Sequence, residues 1–311
     1  MNPSVVPISY LLFYTIIPTL SIIGNALIVY ITVRSESLRS SCNILIALIS
    51  ASDVLRSFSH YVMIASYEFT EYHQIRHDFC VYLQLIPLFG LLLSSVLLFT
   101  VALDRLLSLQ KFYSGIIIQW KKLYTAALIL PGFIYASFMV VWVLSNQKSQ
   151  EMTVCIIVTP MVGMVYEVFM RNAIILNIMI IACYMIFLYF LKYVQISSDN
   201  AKNIYRSLMI VSLSVILGSF SSMLINITAA ALQINIERLY INLMAGIFVN
   251  LSSASNIIIY YVMSKQYRRV FDKYLYIDSL KKRIGISDSG SAYLDHRTLK
   301  THKKTMISVI T

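Results

Sequence analysis

Charge is what this chain has least of. Asp, Glu, Lys and Arg make up only 13% of its 311 residues, whereas 58% are hydrophobic; soluble domains carry about 25% and about 45 to 50% respectively. That balance excludes a soluble globular domain, which has no use for so much apolar surface. Motifs that carry chemistry are missing as well: there is no phosphate-cradling glycine loop, no His-Glu-x-x-His and no cluster of carboxylates within the apolar runs, so an enzyme finds no support. Accessible glycosylation sequons are absent too. Asn2-Pro3-Ser4 is blocked by its proline, and Asn226-Ile227-Thr228 and Asn250-Leu251-Ser252 fall inside apolar runs. No internal repeat or interrupted apolar segment is apparent, which makes a transporter or ligand-gated channel the weaker reading from another class.

What is present is a series of apolar runs, each long enough to cross a bilayer core of roughly 30 Å as a helix that satisfies its own backbone hydrogen bonds. Seven are found: Ile8 to Val33, Ser41 to Tyr67, Phe79 to Leu109, Leu123 to Leu144, Arg171 to Tyr193, Ser207 to Leu232 and Leu239 to Met263. The expected fold is therefore all-α, an integral membrane bundle of seven helices. The first run is too long for a signal-peptide core and lacks a basic n-region and a small-residue cleavage site, so it counts as a span.

Basic residues orient the bundle. Of the 25 Lys and Arg, 20 fall on one side: Arg34, Arg39, Arg105, Lys111, Lys121, Lys122, Lys192, Lys202, Arg206 and the 11 that follow Met263. The other five, Arg56, Arg76, Lys148, Arg171 and Arg238, are read as scattered among the opposite loops and helix ends. The positive-inside rule then puts residues 1–7 outside and the tail in the cytoplasm. The net charge of +11 sits in short loops beside apolar spans rather than on one groove-sized face. Anionic inner-leaflet lipid accounts for it, and nucleic acid is not an expected partner.

Cys80 opens the third span on the outer side and Cys155 lies in the outer loop between spans four and five, where an oxidising compartment permits a disulfide. They are expected to pair; two free thiols in the same region is the alternative. Cys42 and Cys183 read as small core residues. His73 and His77, four apart in the first outer loop, read as solvated polar residues rather than metal ligands. After span seven, residues 264–276 alternate basic and apolar residues, with Tyr267, Val270, Phe271 and Tyr274 at helical spacing. They are expected to form a short amphipathic helix on the inner membrane surface. No cysteine follows that helix to carry a palmitoyl anchor. Residues 277–311 are polar, basic and rich in Ser and Thr, and disorder is expected there.

Two ionisable features stand inside the apolar runs. Asp104-Arg105 sits at the inner end of span three, where a carboxylate and a guanidinium side by side are costly to desolvate and favour a signalling role. Asp53 lies midway along span two, where an acid costs about 2.5 to 3.5 kcal/mol to insert and needs partners inside the bundle.

Together with Gly24-Asn25 in span one, these features resemble the rhodopsin-like seven-helix G-protein-coupled receptors. Leu48, Ala51 and Asp53 match that family's Leu-x-x-Ala-x-Asp, and Cys80 precedes Arg105 by the family's spacing of 25 (105 − 80). Asn256-Ile257-Ile258-Ile259-Tyr260 is similar to Asn-Pro-x-x-Tyr. The likeness runs from about residue 20 to 271. Within the superfamily, Leu38 to Leu48 resembles the nematode serpentine chemoreceptors of the srsx class. Three departures occur: Leu106 replaces the tyrosine of the signature triplet, Ile257 replaces the span-seven proline, and Ser219 and Ser221 stand where span six usually has tryptophan and proline.

The resemblance implies a chemoreceptor of the plasma membrane, or of a sensory cilium, that binds an extracellular ligand and activates a heterotrimeric G protein. A neuropeptide-type receptor is the alternative within the class. It implies a switch in which Arg105 leaves Asp104 and meets the G protein, with Tyr184 and Tyr260 approaching it. The acid that often locks this arginine to span six is missing at Ala201; either Asp199 substitutes for it or the inactive state is less latched. Family geometry would gather Asn25, Ser94, Ser253 and Asn256 round Asp53, a set suited to water or an allosteric sodium ion; no other cofactor is expected. Pro87 where amine receptors carry an aspartate, and Asn250 in place of the opsins' retinal lysine, disfavour an amine ligand and a photoreceptor. A pocket for a small, weakly polar molecule would be lined by Gln84, Leu88 and Leu91 of span three, Ser222, Met223 and Asn226 of span six, and Asn242 of span seven; ordinary helix packing explains the same residues. Phosphorylation of the tail would recruit arrestin-like partners, or the tail is an inert spacer.

Overall fold

The structure, a computed structural model, describes residues 7–70, 73–110, 113–148, 151–193, 217–218, 220–229, 232 and 238–275. Ser219, Asp199, Ala201 and the tail expected from residue 277 onward lie outside the described residues. The chain divides into two units, Met1–Arg268 and Arg269–Thr311. The bundle belongs to the first; of the second, residues 269–275 are described.

The elements in chain order are α1 (Ile8–Arg34), a 3-10 turn (Glu36–Leu38), α2 (Ser41–Glu68), β1 (Ile75–Arg76), α3 (His77–Leu107), α4 (Tyr113–Ser145), β2 (Met152–Thr153) and α5 (Met164–Tyr193). They are followed by α6 (Phe220–Ala229), α7 (Arg238–Met263) and α8 (Lys265–Tyr274). Among the described residues six helices, α1 to α5 and α7, are long and apolar enough to cross a membrane, and α6 belongs to the expected sixth span. This is the seven-helix all-α bundle expected from the sequence.

Two boundaries moved by more than two residues. Helix α5 begins at Met164, two turns before the expected Arg171, because Glu167 and Arg171 end the apolar run without ending the helix; backbone hydrogen bonding is indifferent to what the side chains meet. Helix α4 starts at Tyr113 and breaks at Trp120 (φ −130°, ψ 29°), so a short inner helix precedes the span expected from Leu123.

The bundle is apolar outside and polar within. Ile16, Leu20 and Ile23 of α1 and Leu130, Ile134, Phe138 and Val141 of α4 are exposed, while Ser21, Asn25, Asp53, Arg56, Ser253 and Asn256 are buried. An outward apolar face suits lipid, and inward polar groups find one another across helices. Close approach between α2 and α3 is permitted by Gly90. A Cβ there would stand 2.6 Å from the Ser52 carbonyl oxygen and 2.8 Å from Leu55 Cβ. Gly90→Ala is therefore expected to force the helices apart and cost about 1 to 3 kcal/mol, read as a lower thermal midpoint in detergent. Gly115→Ala, which would meet nothing within 4 Å, should leave the midpoint unchanged.

Where α2 leads into α3 and α4 into α5, β1 and β2 form a two-residue antiparallel ladder pairing Ile75 with Thr153 and Arg76 with Met152. Beside it a disulfide joins Cys80 to Cys155, with a Cα–Cα distance of 5.5 Å. Cys42 and Cys183 are free and buried. The two outer-loop histidines are each engaged by protein. His73 Nδ1 is 2.6 Å from the Tyr67 carbonyl oxygen, whereas His77 Nε2 donates to the Thr159 carbonyl at 3.2 Å and its Nδ1 accepts from the Lys148 amide at 3.3 Å.

Candidate functional site

Three sites lie along the bundle, and the middle one adjoins the cavity through Arg56 and Asn250. In the middle, Asp53 Oδ2 accepts from Ser253 Oγ at 3.2 Å and from Asn256 Nδ2 at 3.4 Å. Asn256 Nδ2 is also 3.5 Å from Asn25 Oδ1, and Asn25 Nδ2 donates to the Ser21 carbonyl at 2.9 Å and the Ser253 carbonyl at 3.2 Å. The structure thus brings Asn25, Asp53, Ser253 and Asn256 into one network. Ser94 bonds within its own helix, to the Leu91 carbonyl at 3.2 Å.

The residue that sequence reasoning missed is Arg56. It is not at a helix end facing an outer loop, as its place among the scattered basic residues suggested, but 5% exposed in the interior. Its Nε stands 3.6 Å from Asp53 Oδ1, and its Nη1 donates to Asn250 Oδ1 at 3.3 Å. His60 Nε2 lies 3.0 Å from the same Asn250 oxygen. The signal was available: residues 53, 56 and 60 are spaced three and four apart, so they share one helix face, and an ionisable group within a span calls for a partner. Among the described residues lining or closing this region, Asn250 of α7 ties the network to the cavity above.

Sodium does not fit this arrangement. A fixed guanidinium already supplies the counter-charge to Asp53, and a mobile cation beside Asp53 would sit against it at close range, where the interior's low polarisability strengthens repulsion.

Above the network, a cavity of about 220 Å³ opens between α1, α2, α3, α5, α6 and α7 under the segment that follows Cys155. Leu91, Ser222, Met223, Asn226 and Asn242, named from the sequence, all line it. Gln84 and Leu88 do not; both are wholly buried. The Gln84 amide is turned to the Ser59 carbonyl at 3.3 Å and the Cys155 carbonyl at 3.4 Å, bracing the outer loop against α2. The sequence could not foresee the contributions of Arg56, Ser59 and His60 from α2 or of Phe169, Met170 and Leu176 from α5, which depend on helix rotation. A second hollow of about 580 Å³ beneath the outer loops shares Ile156, Val158, Tyr166 and Asn242 with the first.

At the C-terminal end of α3, Asp104 is fully buried and pairs with Arg105. Its Oδ1 also accepts from Tyr113 at 3.1 Å and Tyr124 at 2.9 Å, both on α4. A buried carboxylate is thereby satisfied by three donors, as a buried charge requires. Tyr184 packs with Ala102, Ile180 and Cys183 between α3 and α5. Tyr260 packs against Tyr267, with ring centroids 4.9 Å apart and the ring planes tilted by 34°.

A bundle of apolar-faced helices, a disulfide and a cavity toward one end and a buried Asp-Arg pair toward the other are the marks of a serpentine membrane receptor. The chain belongs to the serpentine-type seven-transmembrane G-protein-coupled chemoreceptors of the Srsx family, whose family model matches residues 18–275. That is a receptor family and not an enzyme family. No curated protein matches the chain.

Proposed function

We propose that this chemoreceptor takes a small ligand from the outer side into the cavity and passes the event to a heterotrimeric G protein through Arg105. One observation carries the reading: α3 lines the cavity with Leu91 and Ser95 and holds Asp104 and Arg105 at its other end, so a single rigid element touches both sites. The basic loops support an outer N-terminus and a cytoplasmic α8 lying on the plasma-membrane surface.

The inner site works as a latch in this reading. In the resting state Asp104 holds Arg105 with help from Tyr113 and Tyr124; on activation the guanidinium is released to carbonyl acceptors on the G protein. Arg105→Ala is expected to abolish ligand-driven G-protein activation in cells, at wild-type surface density. The check is a G-protein activation assay during a screen of volatile and water-soluble small molecules and peptides. Solute uptake or current without any G-protein signal, unaffected by Arg105→Ala, would overturn the receptor mechanism in favour of a transporter or channel.

A further inference from the structure

The cavity's charge pattern defines a ligand class, an inference that rests on the cavity being the ligand site. Arg56 is the sole Lys, Arg, Asp or Glu among the described residues that line it. Its partner Asp53 is not among them and accepts from Ser253 and Asn256. The pair is neutral as a whole, yet the cavity meets its cationic end. Two contacts, Nε toward Asp53 and Nη1 to Asn250, leave further N–H groups of the five on a guanidinium.

A second observation points the same way. Ser59 is 1% exposed and lines the cavity, and its Oγ has no hydrogen-bond partner among the described residues. A buried hydroxyl without a partner is costly unless a ligand supplies one. Residues 56 and 59 are three apart on one face of α2 and both line the cavity, so their donors stand at one end of it, while the His60 N–H is taken by Asn250. Leu98, Phe169, Met170, Leu176, Ile180 and Met223 line the remainder with apolar surface.

We infer that the ligand is a small monocarboxylate with an apolar body, its carboxylate held by Arg56 and Ser59 and its chain lying against α3, α5 and α6. A cationic amine is disfavoured, because no carboxylate lines the cavity and Arg56 would repel it.

The test uses the purified full-length receptor in lipid nanodiscs, with hexanoate, octanoate and decanoate compared with their methyl esters by ligand-induced thermal shift. At least one acid is expected to bind about ten- to a hundredfold more tightly than its ester, the scale of a charge-assisted hydrogen bond. Arg56→Ala alone risks misfolding by stranding Asp53, so the paired variant Asp53→Asn/Arg56→Gln removes both charges; it should bind acid and ester alike. Arg56→Lys should keep the preference for acids in weakened form. Esters binding as well as acids in the wild type, undiminished acid preference in the paired variant, or no binding by any of the acids would each overturn the inference. Acid binding without G-protein activation would uphold the ligand class and sink the signalling mechanism instead.

Discussion

Asp53→Asn is expected to destabilise the receptor by about 3 to 5 kcal/mol, because it strands a buried arginine without its counter-charge. Both side chains are almost wholly enclosed, at 6% and 10% exposure, so water cannot take over the lost partner. Arg56→Gln should cost a similar amount by stranding the acid. The double variant Asp53→Asn/Arg56→Gln should recover much of the loss, since two neutral amides of similar size replace the pair. Thermal unfolding of the four proteins in one detergent gives the coupling as a double-mutant cycle. Additive single effects would show that the two charges do not act on each other. The same pairing predicts that sodium, varied against potassium at constant ionic strength, leaves the wild-type midpoint unchanged, whereas Arg56→Gln, which bares the carboxylate, should acquire a sodium-dependent rise.

Cys155→Ser is expected to have the second large effect. The disulfide closes a loop of sequence separation 75, for which the chain-entropy relation assigns about 4.5 kcal/mol of stabilisation through the unfolded state. Loss would also leave the segment after Cys155, which lines the cavity, held to α3 by hydrogen bonds such as that from Gln84 rather than by a covalent bond. Surface density measured by flow cytometry should fall severalfold, and Cys80→Ser should match it. The Cys80→Ser/Cys155→Ser double variant should be no worse than either single one, because the bond is lost once. Cys42→Ser, at a free cysteine, should keep the wild-type surface level.

These variants divide the residues by how each could be known. Asp53, Asp104 and Arg105 announce themselves locally: a charge in an apolar run is conspicuous wherever its helix turns. Cys80 and Cys155 follow from sidedness, because both fall at the outer face once the basic loops orient the chain. Arg56 was equally visible as a charge, yet it was grouped with loop residues because a one-dimensional count of basic residues carries no helix face. Reading Asp53, Arg56 and His60 by their three- and four-residue spacing would have placed them together, though not in the cavity.

The pocket shows the same division. Leu91, Ser222, Met223, Asn226 and Asn242 line the cavity because they stand at similar depths on helices that converge. Gln84 and Leu88, on the same helix as Leu91, are turned into packing against their neighbours. Whether a residue on a helix faces the lumen or a neighbouring helix depends on rotation about the axis. That rotation is set by contacts such as Gly90 against Ser52 and Leu55.

By itself the sequence determined the number and approximate limits of the spans, their expected orientation, the outer cysteines and the inner Asp-Arg pair. Each of these rests on short-range properties, namely hydropathy over one helix length, loop charge and side-chain type. Only the tertiary structure decided that Asn250 of α7 meets Arg56 and His60, and that Gln84 of α3 reaches the Cys155 carbonyl. Those are encounters between residues far apart in the chain, such as Arg56 and Asn250 at a separation of 194, and they exist only once the helices have packed.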